Sequence, residues 1–181
     1  MSPGAELAQA LRAHPFFAAL TEGELALVAG CGRAVEFAAG QSITREGQPA
    51  EHFYALVQGK VAVQIFVPGR GLLTLQTLRG GEVLGWSWGF PPSTWTFDAC
   101  ALEPTRAVRL EAAVLLRRCE ESPQLGYKLM RGLVRVMTER LHGTRLQLLD
   151  LYGQPAPAAA PVAATGATGA ALPTPEPGRE R

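Results

Sequence analysis

The chain has 181 residues with 17 basic and 16 acidic side chains, a formal net charge of +1. That balance gives no electrostatic reason to expect whole-chain affinity for nucleic acid or a membrane surface, and the length suits one domain with a real core. The N-terminus, MSPGAELAQALRAHPFF, has no basic segment followed by an apolar run, and no stretch is apolar for long enough to span a bilayer. Cys31, Cys100 and Cys119 are odd in number and widely spaced, which suits neither a disulfide framework nor a zinc site. Buried free thiols in a cytoplasmic protein are the expectation.

Two short helices come first. Glu6 to His14 places Leu7 and Leu11 on one face, and Pro15 disfavours helix at His14. In TEGEL, Thr21 and Glu24 have the spacing of a capping box. Leu25, Val28 and Ala29 follow as an apolar stripe, with Gly30 or Gly32 as the stop. From Ala34 to Leu110 the pattern turns to β. KVAVQIF alternates, with Val61, Val63 and Ile65 on one face; VPGRG turns the chain and LLTLQTL returns, which predicts a hairpin. FDACAL and TRAVRL supply later strands, and Gly40, Gly47, Gly59, Gly81 and Gly85 fall at turn positions. His52 is expected on a loop surface. Many short strands with regular turns predict a mostly-β sandwich or barrel.

The end of the chain is helical. After LEAAVLLRRCEESP, a helix is predicted from Gln124 to Tyr152. Met130, Val134, Met137, Leu141, Thr144, Leu148 and Leu151 are spaced alternately by four and three, a heptad seam. A helix of about 28 residues is roughly 40 Å long, more than a small barrel needs as cover. The seam therefore predicts a homodimer, against the simpler reading of a helix lying on its own barrel. Arg131, Arg135, Arg140 and Arg145 recur along it and read as a solvated face flanking the seam. From Gln154 the text becomes QPAPAAAPVAATGATGAALPTPEPGRER, without periodicity or aromatics, and a disordered tail is expected. The expected organisation is 1–123 for the roll and its flanking helices, 124–153 for the long helix and 154–181 for the tail.

The stretch FAAGQSITREGQPAEHFYALVQGKV, through Phe37, Gly40, Ile43, Gly47, Phe53, Tyr54, Leu56, Gly59 and Val61, resembles the start of a cyclic nucleotide-binding domain, and LRGGEVLG continues the likeness with Leu78, Gly81 and Gly85. Taken over Leu11 to Tyr152, the chain is similar to the sensor half of the catabolite activator and fumarate–nitrate regulator family. The resemblance implies a β-roll of the double-stranded β-helix or jelly-roll type, with short N-terminal helices and a long C-terminal dimerisation helix.

It also implies where a ligand would sit. In that family, helix N-terminal amides and a hydroxyl hold the cyclic phosphate, an arginine neutralises it, and a glutamate directly after the last glycine accepts from the ribose hydroxyl. The resemblance puts Trp86 at the place of the glutamate, Trp95 at that of the arginine, and Thr96 at that of the hydroxyl residue. Tryptophan neither accepts from a hydroxyl nor carries charge. Losing the arginine removes a contact of a few kcal/mol, or roughly 100-fold in affinity, and Asp98 nearby disfavours an anion. On the long helix, Thr144 aligns with a threonine that reaches the purine in relatives, and Arg145 with its neighbour. Thr144 fits equally well as a tolerated polar residue in the seam.

The candidate ligand-binding residues are thus Gly85, Trp86, Ser87, Trp88, Trp95, Thr96, Thr144 and Arg145, with the turn Phe90 to Ser93 stiffening the loop. Three readings follow. The tryptophans line a pocket for another, flatter and less anionic ligand; or they fill the old pocket and leave a dimeric scaffold; or cyclic nucleotide still binds weakly through helix amides, Thr96 and ring stacking. No catalytic set is legible: His14, His52 and His142 fall in different elements, and no P-loop, HExxH or GxSxG is present. LLDLYG resembles the junction to the DNA-binding domain of relatives, but QPAPAAAP follows it, so direct DNA reading is not expected. The expectation is a non-enzymatic regulatory sensor for signal transduction, dimeric, without a metal, and open to a small-molecule ligand and a protein partner.

Overall fold

The computed structural model describes residues 3–89 and 93–153, with residues 3, 89 and 147–153 as backbone only. The expectations for Phe90, for the two prolines after it and for the tail at 154–181 lie outside the described residues, as do those for the side chains of Leu148 and Leu151. The elements are α1 (Pro3–Ala13), a 3-10 turn (Pro15–Phe17), α2 (Glu22–Ala29), β1 (Gly32–Phe37), β2 (Ser42–Thr44), β3 (His52–Gln58), β4 (Lys60–Val67), β5 (Gly71–Arg79), β6 (Val83–Leu84), a second 3-10 turn (Ser87–Gly89), β7 (Asp98–Ala101), β8 (Thr105–Glu111), α3 (Ala112–Glu121) and α4 (Pro123–Gly153). Compact packing divides the chain into residues 1–141 and 142–181.

The strands make two antiparallel four-stranded sheets, in the orders β1-β8-β3-β6 and β2-β7-β4-β5. This is the predicted β-roll. The hairpin joins β4 to β5, with Val61 facing Leu78 and Val67 facing Gly71. His52 is not on a loop: it opens β3 in register with Glu111, half-buried, with Nε2 3.2 Å from the Glu111 carboxylate. The ladder with β8 draws it into the sheet one residue before the apolar run FYALV.

Two apolar clusters sit on opposite faces of the first sheet. Tyr54, Leu56, Val61, Leu78, Leu84, Trp95 and Ala107 fill the space between the sheets. Phe53, Ala55, Val83, Val108 and Leu110 instead face the helices, against Leu11, Phe17, Leu25, Val28, Leu115, Leu125, Leu129 and Leu133. Strand β3 is therefore buried on both faces, and its run Phe53–Leu56 shows no polar alternation for that reason.

The capping box of α2 is formed: the Glu24 amide donates to Thr21 Oγ1 at 3.4 Å and the Thr21 amide donates to the Glu24 carboxylate at 2.7 Å. The same carboxylate takes Lys128 Nζ from α4 at 2.7 and 2.9 Å, which ties the two helices and holds the Glu24 carboxyl below its usual range. α4 turns Leu125, Leu129 and Leu133 inward, and Gly132 sits so close to the Phe16 ring that a Cβ would lie 2.9 Å from it. Cys31 is buried, while Cys100 and Cys119 are only half-buried because they lie on partly exposed faces of β7 and α3; all three are free thiols. Among the described residues, no helix is long and apolar enough to cross a membrane.

His14 links this helical layer to the loop before β6. Its Nδ1 accepts from the Phe16 amide at 3.3 Å and its Nε2 lies 3.2 Å from the Glu82 carbonyl, so the neutral Nε2–H form satisfies both contacts. Burial lowers its pKa, with the Glu82 carbonyl acting in the opposite direction. A depressed pKa means that the unfolded chain binds the proton more readily than the native one, so stability is full above about pH 6.5 and falls as the pH drops from there through the native pKa. Urea unfolding at pH 7.5 and 5.5 should show this loss. His14→Gln, less stable at pH 7.5, should lose less between the two; an equal loss in both proteins would remove His14 as the cause.

Candidate ligand-binding site

The candidate site is the loop from Gly80 to Asp98. It begins with a tight turn. The Gly81 amide donates to the Leu56 carbonyl at 2.7 Å, the Leu56 amide donates to the Glu82 carbonyl at 2.9 Å, and the Glu82 carboxylate takes the Arg79 amide at 2.7 Å. β6 then pairs with β3 for two residues, Leu84 with Tyr54 and Val83 with Ala55. Gly85 has φ +89°, and a Cβ there would lie 2.6 Å from Cζ3 of Trp95. Backbone conformation and close approach both require glycine at that point. After Gly85 the described residues form a 3-10 turn, Ser87–Gly89, where the resemblance implies a phosphate-holding helix. The loop returns along residues 47–50: the Trp95 amide donates to the Gln48 carbonyl at 2.8 Å and the Ala50 amide to the Ser93 carbonyl at 2.8 Å.

The three tryptophans separate. Trp95, 8% exposed, enters the cluster between the sheets and meets Tyr54 with ring centroids 6.3 Å apart. Trp88, 1% exposed, enters the other cluster against Phe53, centroids 5.7 Å apart, and does not line the cassette cavity. Trp86 and Trp88 thus lie on the helix side of the first sheet, and Trp95 lies between the sheets. Trp86 is half-buried, packs against the helix-side cluster and also lines the cavity.

That cavity measures about 30 Å³ and is lined among others by Leu84, Trp86, Ser87, Trp95, Thr96 and Arg140. It has room for about two water molecules at most. Its polar groups are few. Ser87 Oγ and Thr96 Oγ1 are hydrogen-bonded at 3.2 Å. Asp98 is occupied with the Glu46 amide, which donates to its Oδ1 at 2.8 Å. Gly85, Trp86, Ser87, Trp95 and Thr96 are thus brought together. Thr144 and Arg145 are exposed on α4, in the second compact unit.

Arg140 is the residue that sequence reasoning missed. It was expected on a solvated face; instead it is half-buried, and its guanidinium donates to the Val83 carbonyl. Burial works to lower its pKa, and Glu82 and Glu139 act the other way to support the charge. Helical period explains the placement. Leu129 and Leu133 point inward, and residue 140, seven beyond 133, returns to that face. The signal was available, since Leu125, Leu129, Leu133 and Val136 form one stripe that Arg140 extends. Arg131 and Arg135 are exposed as expected, Arg131 lying 5.6 Å over the Tyr127 ring.

No cluster of His, Cys, Asp and Glu able to hold a metal ion occurs among the described residues. Residues 34–122 match the family model of the cyclic nucleotide-binding domain. The chain is 29% identical over 118 residues to a CRP-like cAMP-activated global transcriptional regulator of Mycobacterium tuberculosis, covering 65% of this chain and 50% of that one. It therefore spans about half the length of the curated relatives it matches. Among solved structures, a Geobacter metallireducens protein described as cyclic nucleotide-binding is 28% identical with a TM-score of 0.66, covering 78% of this chain and 99% of that one. The N-terminal domain of a transcriptional regulator from Streptomyces coelicolor is 25% identical with a TM-score of 0.60, covering 72% and 93%. The matched span runs from within β1 through α3 and contains the cassette from Gly80 to Asp98; over it, the chain is similar to the cyclic nucleotide-binding domain family.

Proposed function

We propose that the chain is a non-enzymatic, ligand-sensing regulatory module whose cassette has lost the two charged contacts of its family. One observation carries this: the Trp95 ring lies on Gly85, in the position that the resemblance assigns to the phosphate arginine. Trp86 takes the position of the ribose acid, while Thr96, at the place of the hydroxyl residue, is hydrogen-bonded to Ser87. The contact with a cyclic nucleotide is thereby reduced to hydroxyls, backbone and ring faces, which supports a weak or altered ligand preference. Homodimerisation along α4 and an output through a protein partner belong to the same reading.

A second reading, a dimeric scaffold with a filled cassette, is favoured by the cavity itself. About 30 Å³ is available, whereas sites for small molecules of this size are roughly 300 Å³ or more. Any ligand must therefore move a wall.

Intrinsic fluorescence decides between them, since Trp86 and Trp95 both line the cavity. Titration with cyclic AMP, cyclic GMP and cyclic dinucleotides, checked by calorimetry, should give a saturable change with a dissociation constant weakened by roughly 100-fold relative to a cassette with its arginine. No change up to millimolar ligand would discard the sensor and leave the scaffold.

A further inference from the structure

Arg140 is a cation on the inward face of a helix that otherwise packs through leucine. Its partner in the loop is a neutral carbonyl, that of Val83, two residues before Gly85. Its side chain also forms part of the wall of the cassette cavity, together with Ser87 and Thr96. One side chain thus does two things. It joins α4 to the start of the cassette, and it occupies space that a ligand would need.

We propose that Arg140 is a latch: its bond to the Val83 carbonyl holds α4 on the cassette and keeps the cavity closed without a ligand, and a ligand acts by displacing it. The proposal rests on the sensing role given above. The bond suits a latch because a guanidinium donating to a neutral carbonyl makes a weaker restraint than a bidentate pair with a carboxylate. Glu82 and Glu139 support the charge nearby, so a released guanidinium does not lose all its compensation. The position on α4 gives the latch an output. Leu141 follows it directly and Met137 precedes it by three residues, and both are exposed members of the heptad seam. Moving Arg140 off Val83 moves that seam, and two arrangements of one packed element are what a ligand needs in order to bias an equilibrium.

Hydrogen exchange of the full chain without ligand tests the restraint. In Arg140→Met, which keeps length and apolar bulk but no donor, peptides covering 83–89 and 133–141 should exchange about tenfold faster, with those of β4 unchanged. Arg140→Lys should restore much of the protection. Unchanged exchange, or an increase spread evenly over all peptides, would overturn the latch; if the Met variant does not fold, Arg140→Gln takes its place. Cyclic AMP as probe tests the displacement. A latch lowers apparent affinity by the closed fraction, so Arg140→Met should bind about tenfold more tightly by calorimetry. Weaker binding would make Arg140 a ligand contact and sink the latch. If neither protein binds cyclic AMP, the sensor reading fails, and the exchange data alone decide whether Arg140 holds the cassette closed.

Discussion

Trp95→Ala should cost the fold about 3–5 kcal/mol and open the cassette. The indole is 8% exposed and is shared by two structures. It packs between the sheets with Tyr54, Leu56, Val61, Leu78 and Leu84, and its edge rests on the backbone of Gly85. On the Gly85 side the ring meets a residue without a side chain, so no side chain there can swing in to fill the space it leaves. The loss therefore includes both the transfer of the indole and the cavity it leaves. Urea unfolding should show a lower midpoint at unchanged slope. Free indole should then raise the melting temperature of the variant in a concentration-dependent way, as a ligand that binds the native state alone must, and should leave the parent protein unaffected. A cost below about 1 kcal/mol, the ordinary range for a surface change, would show that Trp95 is not a structural filler, and the cassette would have to be redrawn.

This outcome bears on how much of the site was legible in the sequence. The roll, the hairpin and the capping box follow from local signals. Thr21 and Glu24 have one spacing that satisfies two amides, and Val61 and Val63 lie on one face because that face of β4 meets the first sheet. Strand β3 was harder, because an element buried on both faces carries no alternation to read. The cassette was located through its glycines, and at Gly85 the reason is physical: only glycine leaves room for the Trp95 ring. The directions of the rings were not legible. Trp86 and Trp88 sit in a non-repeating turn and both pack on the helix side, whereas Trp95 packs between the sheets, and no periodicity in the loop marks the difference. Arg140 was misread because its charge was weighed above its position. A cation one stripe away from a seam looks solvated, yet the period of Leu125, Leu129 and Leu133 carries it inward. Polar residues on an inward stripe are where pattern and composition disagree, and such disagreements concentrate at functional positions.

α4 carries two stripes, and the second gives the other large effect. Leu125, Leu129 and Leu133 lie on the inner face, while Val134, Met137 and Leu141 lie about 100° around the helix at 3.6 residues per turn. Their side chains are 62%, 38% and 72% exposed. Met130, the first member of the seam, is half-buried and packs partly against its own core, so the exposed part of the seam starts at Val134. Three apolar residues at spacings of three and four on a helix whose other face is already occupied leave one economical partner, the same stripe of a second copy. In a two-fold interface a residue near the axis meets its own counterpart, so Leu141→Glu would set two carboxylates against each other in an apolar seam. Desolvation and repulsion together should raise the dimer dissociation constant by at least about 100-fold, or ~3 kcal/mol. Sedimentation equilibrium should find the parent protein as a dimer and Leu141→Glu as a monomer with unchanged circular dichroism, because Leu141 contributes nothing to the core of its own chain. Arg135→Glu, exposed and next to the seam, reverses a charge without entering it and should remain a dimer. A dimeric Leu141→Glu would place the association elsewhere, and would also remove the route by which a displaced Arg140 reaches an output.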